Sequence, residues 1–167
     1  SHAIDNDQLA LFYQPKVSFK NNRIVGVEAL LRWIHPERGM IAPDQFIPLA
    51  EKTGAIQRLT QWVLKSAIRQ SMAWRRAGYH FNVSLNLSVR NLLEPAFPNR
   101  VLALFDGEGA SAQGITMEIT ESALMADPAK ARNVLILLSQ HGIRFSIDDF
   151  GTGYSSLAYL KHLPVSE

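Results

Sequence analysis

Cysteine is absent from this chain of 167 residues. Without cysteine, the protein can form neither a disulfide framework nor a zinc site built on thiolates. Any metal that the chain binds must therefore be held by oxygen atoms or by imidazole nitrogens. This absence restricts a candidate metal site to acidic, amide and histidine side chains.

Long apolar runs and a strong charge of one sign are also absent. No stretch reaches the roughly 18 apolar residues of a membrane span, and the N-terminus has no charged-then-apolar leader region. The formal net charge is +2, and the basic residues are scattered along the chain. These features predict a cytoplasmic domain that binds no nucleic-acid polymer and makes no direct membrane insertion. A parent protein could still be membrane-anchored through another domain, and Ser1-His2 is interpreted as a tag remnant.

The residues that are present have the composition of an ordinary globular domain, with 47% hydrophobic and 19% charged residues. The pattern predicts a hairpin of two strands over residues 9–19 and 23–33, with Pro15 at an edge or a bulge. Helices and strands then alternate. The predicted helices cover residues 43–53, 56–76, 98–105, 128–141 and 154–162, and the predicted strands cover residues 81–88, 115–120 and 143–147.

This alternation, at roughly 30-residue spacing, is typical of a parallel α/β sheet with right-handed crossovers. An open doubly wound sheet and a closed barrel both fit the alternation. No Gly-x-Gly-x-x-Gly follows the first strand, and no Gly-Lys-Ser/Thr loop occurs. The dinucleotide-binding and P-loop interpretations therefore lose their main support.

Each predicted strand has an apolar and a polar side, because neighbouring side chains point to opposite faces. Helices cover the outside of a parallel α/β barrel, so the polar sides are expected to face the lumen. This assignment brings together Asn86, Glu118 and Asp148. Glu28 joins them from the hairpin, on the same face as Arg32.

The stretch from Phe145 to Ser156 carries the strongest chemical signal. An apolar strand runs into Asp148 and Asp149, and the loop that follows contains Gly151 and Gly153, which permit a sharp turn. A single acid near a strand end is more often a helix N-cap or a surface carboxylate. Four such residues at equivalent strand ends favour a metal site instead.

Oxygen ligands of this kind select Mg²⁺, Mn²⁺ or Ca²⁺ over zinc or copper. The carboxylate count suits two ions that share Asp148 as a bridge, an arrangement that activates water and stabilises a transferring phosphoryl group. The expected substrate class is therefore a phosphate ester.

Four ordered motifs resemble the EAL domains, the cyclic-di-GMP phosphodiesterases of bacterial signalling. The resemblance covers nearly all of the chain. The motifs are Glu28-Ala29-Leu30 within Val-Glu-Ala-Leu-Leu-Arg-Trp, Asn86 in Ser-Leu-Asn-Leu-Ser, Glu118 and Glu121 in Glu-Ile-Thr-Glu-Ser, and Asp148-Asp149-Phe150-Gly151-Thr152-Gly153.

The resemblance implies a modified TIM (β/α)8 barrel with an antiparallel first strand, and hydrolysis of cyclic-di-GMP to linear pGpG with two Mg²⁺ or Mn²⁺ ions. Inhibition by Ca²⁺ is expected on the same ground. The first ion would be held by Glu28, Asn86, Glu118 and Asp148, and the second by Asp148 and Asp149. Glu28, Asp148 and Asp149 would be the catalytic residues. Glu121 would anchor the loop after Asp149, and substrate would be contacted by Gln14, Leu30 and Arg32.

The chain ends at Glu167, before the positions where the family supplies a lysine, a glutamate and a glutamine to the site. A barrel of this type has on the order of 250 residues, so residues 1–167 are expected to be its N-terminal half to two-thirds and to hydrolyse little alone. The parent protein is expected to be a homodimer fused to sensory or GGDEF modules. The alternative is a catalytically inactive receptor domain that binds cyclic-di-GMP without cleaving it.

Overall fold

The computed structural model describes residues 2–148 of the chain. They belong to two compact units, which divide between Val83 and Ser84. Asp149, the loop that follows it and the helix predicted over residues 154–162 lie outside the described residues.

The first unit is a β-hairpin packed against two helices. Its elements are α1 (His2–Asp5), β1 (Leu9–Ser18), β2 (Arg23–His35), β3 (Gly39–Ile41), α2 (Pro43–Thr53) and α3 (Ile56–Arg76). β1 pairs with β2 in antiparallel orientation, with a register shift between Lys16 and Val17, and β3 pairs with the far end of β2. The predicted hairpin, the antiparallel first strand and the irregularity near Pro15 are therefore confirmed.

The core of this unit lies on one side of the hairpin, between the strands and helices α2 and α3. Leu9, Phe46, Ile56 and Leu59 are its buried centre, and Leu31 and Trp33 pack against them. Leu31 and Trp33 alternate along β2 with Leu30 and Arg32, so the odd-numbered residues of β2 face the helices. The even-numbered residues are left on the opposite face.

The second unit alternates strands and helices, as the sequence predicts. β4 (Asn82–Asn86) begins with the last two residues of the first unit and is followed by α4 (Val89–Leu92), α5 (Phe97–Glu108), β5 (Ile115–Thr120), α6 (Glu121–Ala126), α7 (Pro128–Gln140) and β6 (Arg144–Asp148). β4, β5 and β6 are neighbours in this order, and β5 pairs with β6 in parallel orientation. The parallel α/β class is therefore confirmed.

Two helix ends lie where the sequence signals predict. The Asp127 side chain accepts a hydrogen bond from the backbone N–H of Lys130 (3.1 Å), which caps α7 as expected for an Asp-Pro start. At the other end of α2, Gly54 adopts the left-handed conformation, with φ of 76°. The sequence also indicates a loop from His35 to Met40, but Gly39 and Met40 belong to β3.

Candidate functional site

The four predicted site residues of the first unit share one face of the hairpin. Gln14 on β1 lies directly opposite Glu28 on β2, and the next pairs along the face are Phe12 with Leu30 and Ala10 with Arg32. Residues directly opposite in an antiparallel pair point to the same side of the sheet. Glu28, Leu30, Arg32 and Gln14 therefore belong to one surface, on the side away from α2 and α3.

The environment of this surface differs from that of the core beneath it. Val27 and Ala29 are 6% and 4% exposed, whereas Glu28, Leu30 and Arg32 are half-buried and Gln14 is exposed. The guanidinium of Arg32 donates a hydrogen bond from Nη1 to the backbone carbonyl of Leu31 (2.8 Å). This bond leaves the other guanidinium N–H groups as donors for a phosphate or a base.

The second unit brings three other predicted residues to the carboxyl ends of neighbouring strands. Glu118 on β5 is level with Ser146 on β6, and two residues later Thr120 is level with Asp148. The backbone N–H of Leu87, directly after Asn86, donates to the carbonyl of Glu118 (2.8 Å). In parallel geometry this bond sets Asn86 beside Glu118. Asn86, Glu118 and Asp148 thus lie at one edge of this unit, on the polar side of the strands.

Glu118 is the most unusual of the three because it is only 7% exposed. Its strand is buried on both faces, since Ile115, Met117 and Ile119 are each 1% exposed on one side and Thr116 is 6% exposed on the other. An ionised carboxylate in such a place costs several kcal/mol unless charged or hydrogen-bonding groups compensate it. Asp148 lies on β6, two residues closer to the carboxyl end than the residue level with Glu118, and it is exposed.

Glu121 follows the same strand but occupies a different kind of position. It is the first residue of α6 and is 4% exposed. Thr120 caps this helix, since its Oγ1 accepts a hydrogen bond from the backbone N–H of Ala123 (3.3 Å). An acid in the first turn of a helix is stabilised by the helix dipole. Glu121 therefore lies directly after the last residue of β5, Thr120, and three residues after Glu118 in the chain.

Two hydroxyl residues were not among the predicted site residues, although they lie on the same face. Ser146 is level with Glu118, and Thr120 is level with Asp148. The alternation of side chains along β5 and β6 already places both on the polar side. The alternation of side chains could thus have identified both residues. It did not single them out, because hydroxyl residues on the polar side of a strand are too common to indicate a site.

The donor set fits Mg²⁺ or Mn²⁺, because carboxylate and amide oxygens are the ligands that these hard cations prefer. Within residues 2–148, no three acidic, histidine or cysteine side chains are grouped so as to hold a metal ion without further ligands. The predicted set includes the amide of Asn86, and Asp149 lies outside the described residues. Glu28 belongs to the first unit and the other ligands to the second.

The strand and helix order defines an α/β domain that carries acidic side chains toward the carboxyl ends of its neighbouring parallel strands. The model of the EAL domain family matches residues 1–167, the whole of the sequence. The chain belongs to the EAL domain family.

Two curated relatives are similar to nearly the whole of this sequence. It is 45% identical over 166 residues to MucR of Pseudomonas aeruginosa, a bifunctional diguanylate cyclase/cyclic di-GMP phosphodiesterase, with 99% of this chain and 24% of the relative covered. It is 40% identical over 164 residues to NbdA, a cyclic di-GMP phosphodiesterase of the same species, with 98% of this chain and 21% of the relative covered. The chain thus spans about a quarter of the length of these curated relatives.

A solved structure of the MucR phosphodiesterase in complex with c-di-GMP has the same fold. Its TM-score is 0.95 at 45% sequence identity, and the match covers 99% of this chain and 68% of that chain. The predicted TIM-barrel-like EAL fold is therefore confirmed. The described part of the chain contains no helix that is both long and apolar enough to cross a membrane.

Proposed function

We propose that this chain forms part of a two-metal phosphodiesterase domain that hydrolyses cyclic-di-GMP to linear pGpG. The observation that carries the proposal is the placement of the polar site residues in each unit: Glu28 with Gln14 and Arg32 on one face of the hairpin, and Asn86, Glu118 and Asp148 at one edge of the second unit. Support also comes from the 45% identity to MucR over nearly the whole chain.

In this proposal Glu28, Asn86, Glu118 and Asp148 hold one divalent ion, and Asp148 with Asp149 holds a second. Bound Mg²⁺ or Mn²⁺ would supply an activated water and neutralise charge on the phosphodiester. Ca²⁺ would inhibit, because it accepts longer and more variable oxygen distances than Mg²⁺ and so alters the site geometry. Glu121 anchors the loop after Asp149 from its position at the start of α6.

The substrate-binding role falls to Gln14, Leu30 and Arg32. Arg32 suits a phosphate oxygen because its planar guanidinium offers several donors in a fixed geometry. Gln14 is exposed directly opposite Glu28, so its amide can bond a base or a phosphate next to the metal ligand. Leu30, between Glu28 and Arg32 on the same face, offers an apolar contact for a base.

The wider setting is also part of the proposal. The domain acts in the cytoplasm as one module of a homodimeric protein, joined to sensory or GGDEF modules. The name of MucR, which combines cyclase and phosphodiesterase activities in one protein, supports a multidomain arrangement. Residues 1–167 alone are proposed to have little hydrolytic activity, since they match 68% of the MucR phosphodiesterase chain.

The test is turnover of cyclic-di-GMP in Mg²⁺, measured by chromatography of pGpG, with the longest form of the protein that contains residues 1–167. We expect product formation that falls by at least about a hundredfold in Glu28→Ala, as is usual when a group that stabilises the transition state is removed. Glu37→Ala is the matched control, because Glu37 is exposed in the turn after β2.

Absence of linear product, or a Glu28→Ala variant that works as well as the wild type, would refute the phosphodiesterase assignment. Calorimetry distinguishes the receptor alternative. Tight binding of cyclic-di-GMP that is independent of metal, together with no turnover, would select a receptor domain.

A further inference from the structure

One end of the first unit combines exposed apolar side chains with basic ones. It is formed by residues 16–25, at the tip of the β1–β2 hairpin, and residues 74–82, from the end of α3 to the start of β4; we name it the hairpin end. These two segments contain five Lys or Arg residues and no Asp or Glu. The basic residues looked scattered along the chain, but the fold gathers these five at one end.

The two segments meet in the first unit through backbone and ring contacts. Lys16 pairs with Gly26, and Gly26 packs so closely on Asn82 that an added Cβ would lie 2.7 Å from the Asn82 carbonyl oxygen. Trp74 contacts Tyr13 of β1, with ring centroids 4.8 Å apart, and also Phe81. The hairpin tip and the start of β4 therefore form one continuous end of the unit.

The apolar exposure at this end is high. Phe19, in the turn, is fully exposed at 102%, and the paired residues Val17 and Ile24 are each 49% exposed. Val25 and Tyr79 are 54% and 55% exposed. The turn that presents Phe19 is held by its own hydrogen bonds, from the backbone N–H of Asn22 to the Ser18 carbonyl (2.9 Å) and of Arg23 to the Asn21 side chain (3.2 Å).

The same two segments carry the exposed cations Lys20, Arg23 and Arg76. Charge complementarity therefore favours an anionic occupant, and a second copy of the same end would bring like charges together. A fully exposed aromatic side chain in segments rich in Lys and Arg is suited to the interface of an anionic membrane. At such an interface, apolar side chains lie below the lipid headgroups and basic side chains lie among them.

We propose that the hairpin end docks on an anionic lipid surface, with Phe19 inserted at headgroup depth and Lys20, Arg23 and Arg76 bound to lipid phosphates or carboxylates. The sequence-based expectation of no membrane insertion came from the lack of a long apolar run. Peripheral docking needs no such run, because a few side chains enter the interface.

The experiment is cosedimentation of the chain with vesicles of phosphatidylcholine alone and of phosphatidylcholine mixed with phosphatidylserine. We expect binding only to the vesicles that contain phosphatidylserine, and weaker binding at higher salt. The double variant Lys20→Glu/Arg23→Glu should bind about 30-fold less or weaker still, from the usual contribution of two basic residues at an anionic surface. Arg38→Glu/Lys52→Glu, which changes two exposed residues elsewhere in the same unit, should bind as the wild type does.

The apolar contribution is tested separately. Phe19→Ser should reduce vesicle binding by about tenfold, from the transfer of a phenyl ring to an apolar environment, whereas Leu49→Ser, at a 62% exposed position on α2, should not. Because the chain has no cysteine, Asn21→Cys and Glu37→Cys allow a polarity-sensitive dye to be placed at single sites. The dye emission should shift to the blue with phosphatidylserine vesicles only at position 21.

Three results would overturn the proposal. The first is equal binding to both vesicle types, and the second is wild-type binding by both Lys20→Glu/Arg23→Glu and Phe19→Ser with circular dichroism showing folded variants. The third is preference for an oligonucleotide or an acidic peptide over lipid at the same salt concentration, which would assign the end to another class of partner.

Discussion

At the scale of single residues, Glu118 is a charged side chain in an environment that favours apolar ones. A strand buried on both faces favours apolar side chains, yet β5 carries a glutamate that is 7% exposed. The alternation of side chains identified Glu118 from the sequence, since it lies on the polar side together with Thr116 and Thr120. What the sequence could not give was the degree of burial on that side, because this depends on the helices and strands packed around β5.

Arg32 provides a residue-scale test of substrate binding. Replacing it by lysine keeps the charge but removes the planar set of donors, so we expect about a tenfold loss of affinity for cyclic-di-GMP. Isothermal titration calorimetry in Ca²⁺, which is expected to permit binding without turnover, measures the change. Arg38→Lys, at an exposed position in the turn before β3, is the control and should bind normally. Unchanged affinity in Arg32→Lys would remove this residue from the proposed site.

Tyr13 gives a pH-dependent prediction. Burial of its ring, which contacts Trp74, raises the pKa of the phenol to about 12 from 10.0. The folded state therefore holds this proton more tightly than the unfolded state does. The contribution to stability is complete below about pH 10 and is lost as the pH rises through about 12.

Spectrophotometric titration of the tyrosinate absorbance should show one of the four tyrosines ionising later than the others. Tyr13→Phe should remove this late step and should also flatten the loss of stability between about pH 10 and 12. A late ionisation that persists in Tyr13→Phe would assign it to another tyrosine.

At the scale of elements, the longer helices and most strands were predicted, whereas β3 and the short helices were not. The helix Ile56–Arg76 and the strand Ile115–Thr120 were predicted with the bounds that the structure has. The segments β3, α4 and α6 have three, four and six residues. The helices α4 and α6 are too short to show a helical hydrophobic period, and β3 is too short to show an alternation, so the stability of these segments comes from packing and pairing with distant parts of the chain. Glu121 was found by resemblance, but the helix that it begins was missed.

Gly26 gives an element-scale test of the contact between β2 and the start of β4. In Gly26→Ala the new methyl would meet the Asn82 carbonyl oxygen at 2.7 Å, so we expect a loss of about 1–3 kcal/mol in the free energy of unfolding. Urea unfolding followed by tryptophan fluorescence measures this loss, because the chain has three tryptophans, Trp33, Trp62 and Trp74, and all belong to the first unit.

Gly107→Ala is the matched control for this change. Gly107 lies in α5 with nothing within 4 Å of an added Cβ, so alanine should stabilise the helix by about 0.5–1 kcal/mol, measured by circular dichroism. If Gly26→Ala were as harmless as Gly107→Ala, the close approach of β2 to Asn82 would be wrong.

At the scale of the whole molecule, the family assignment rests on the full length of the chain, whereas the proposed site draws on both compact units. Residues 1–83 supply Glu28, Gln14, Leu30 and Arg32, and residues 84–167 supply the other predicted ligands. Sequence motifs in the right order were enough to predict the family and the fold. They could not establish whether side chains from the two units act on one cation, because sequence order alone does not fix the distance between residues of different strands.

The measurement that tests this claim most directly is Mn²⁺ binding, followed through the paramagnetic resonance signal of the free ion. The variants Glu28→Gln and Glu118→Gln remove one carboxylate from each unit, and Glu37→Gln is the exposed control. We expect each of the first two to weaken Mn²⁺ binding at least about tenfold, while Glu37→Gln leaves it unchanged. Wild-type affinity in both Glu28→Gln and Glu118→Gln would contradict the shared metal site.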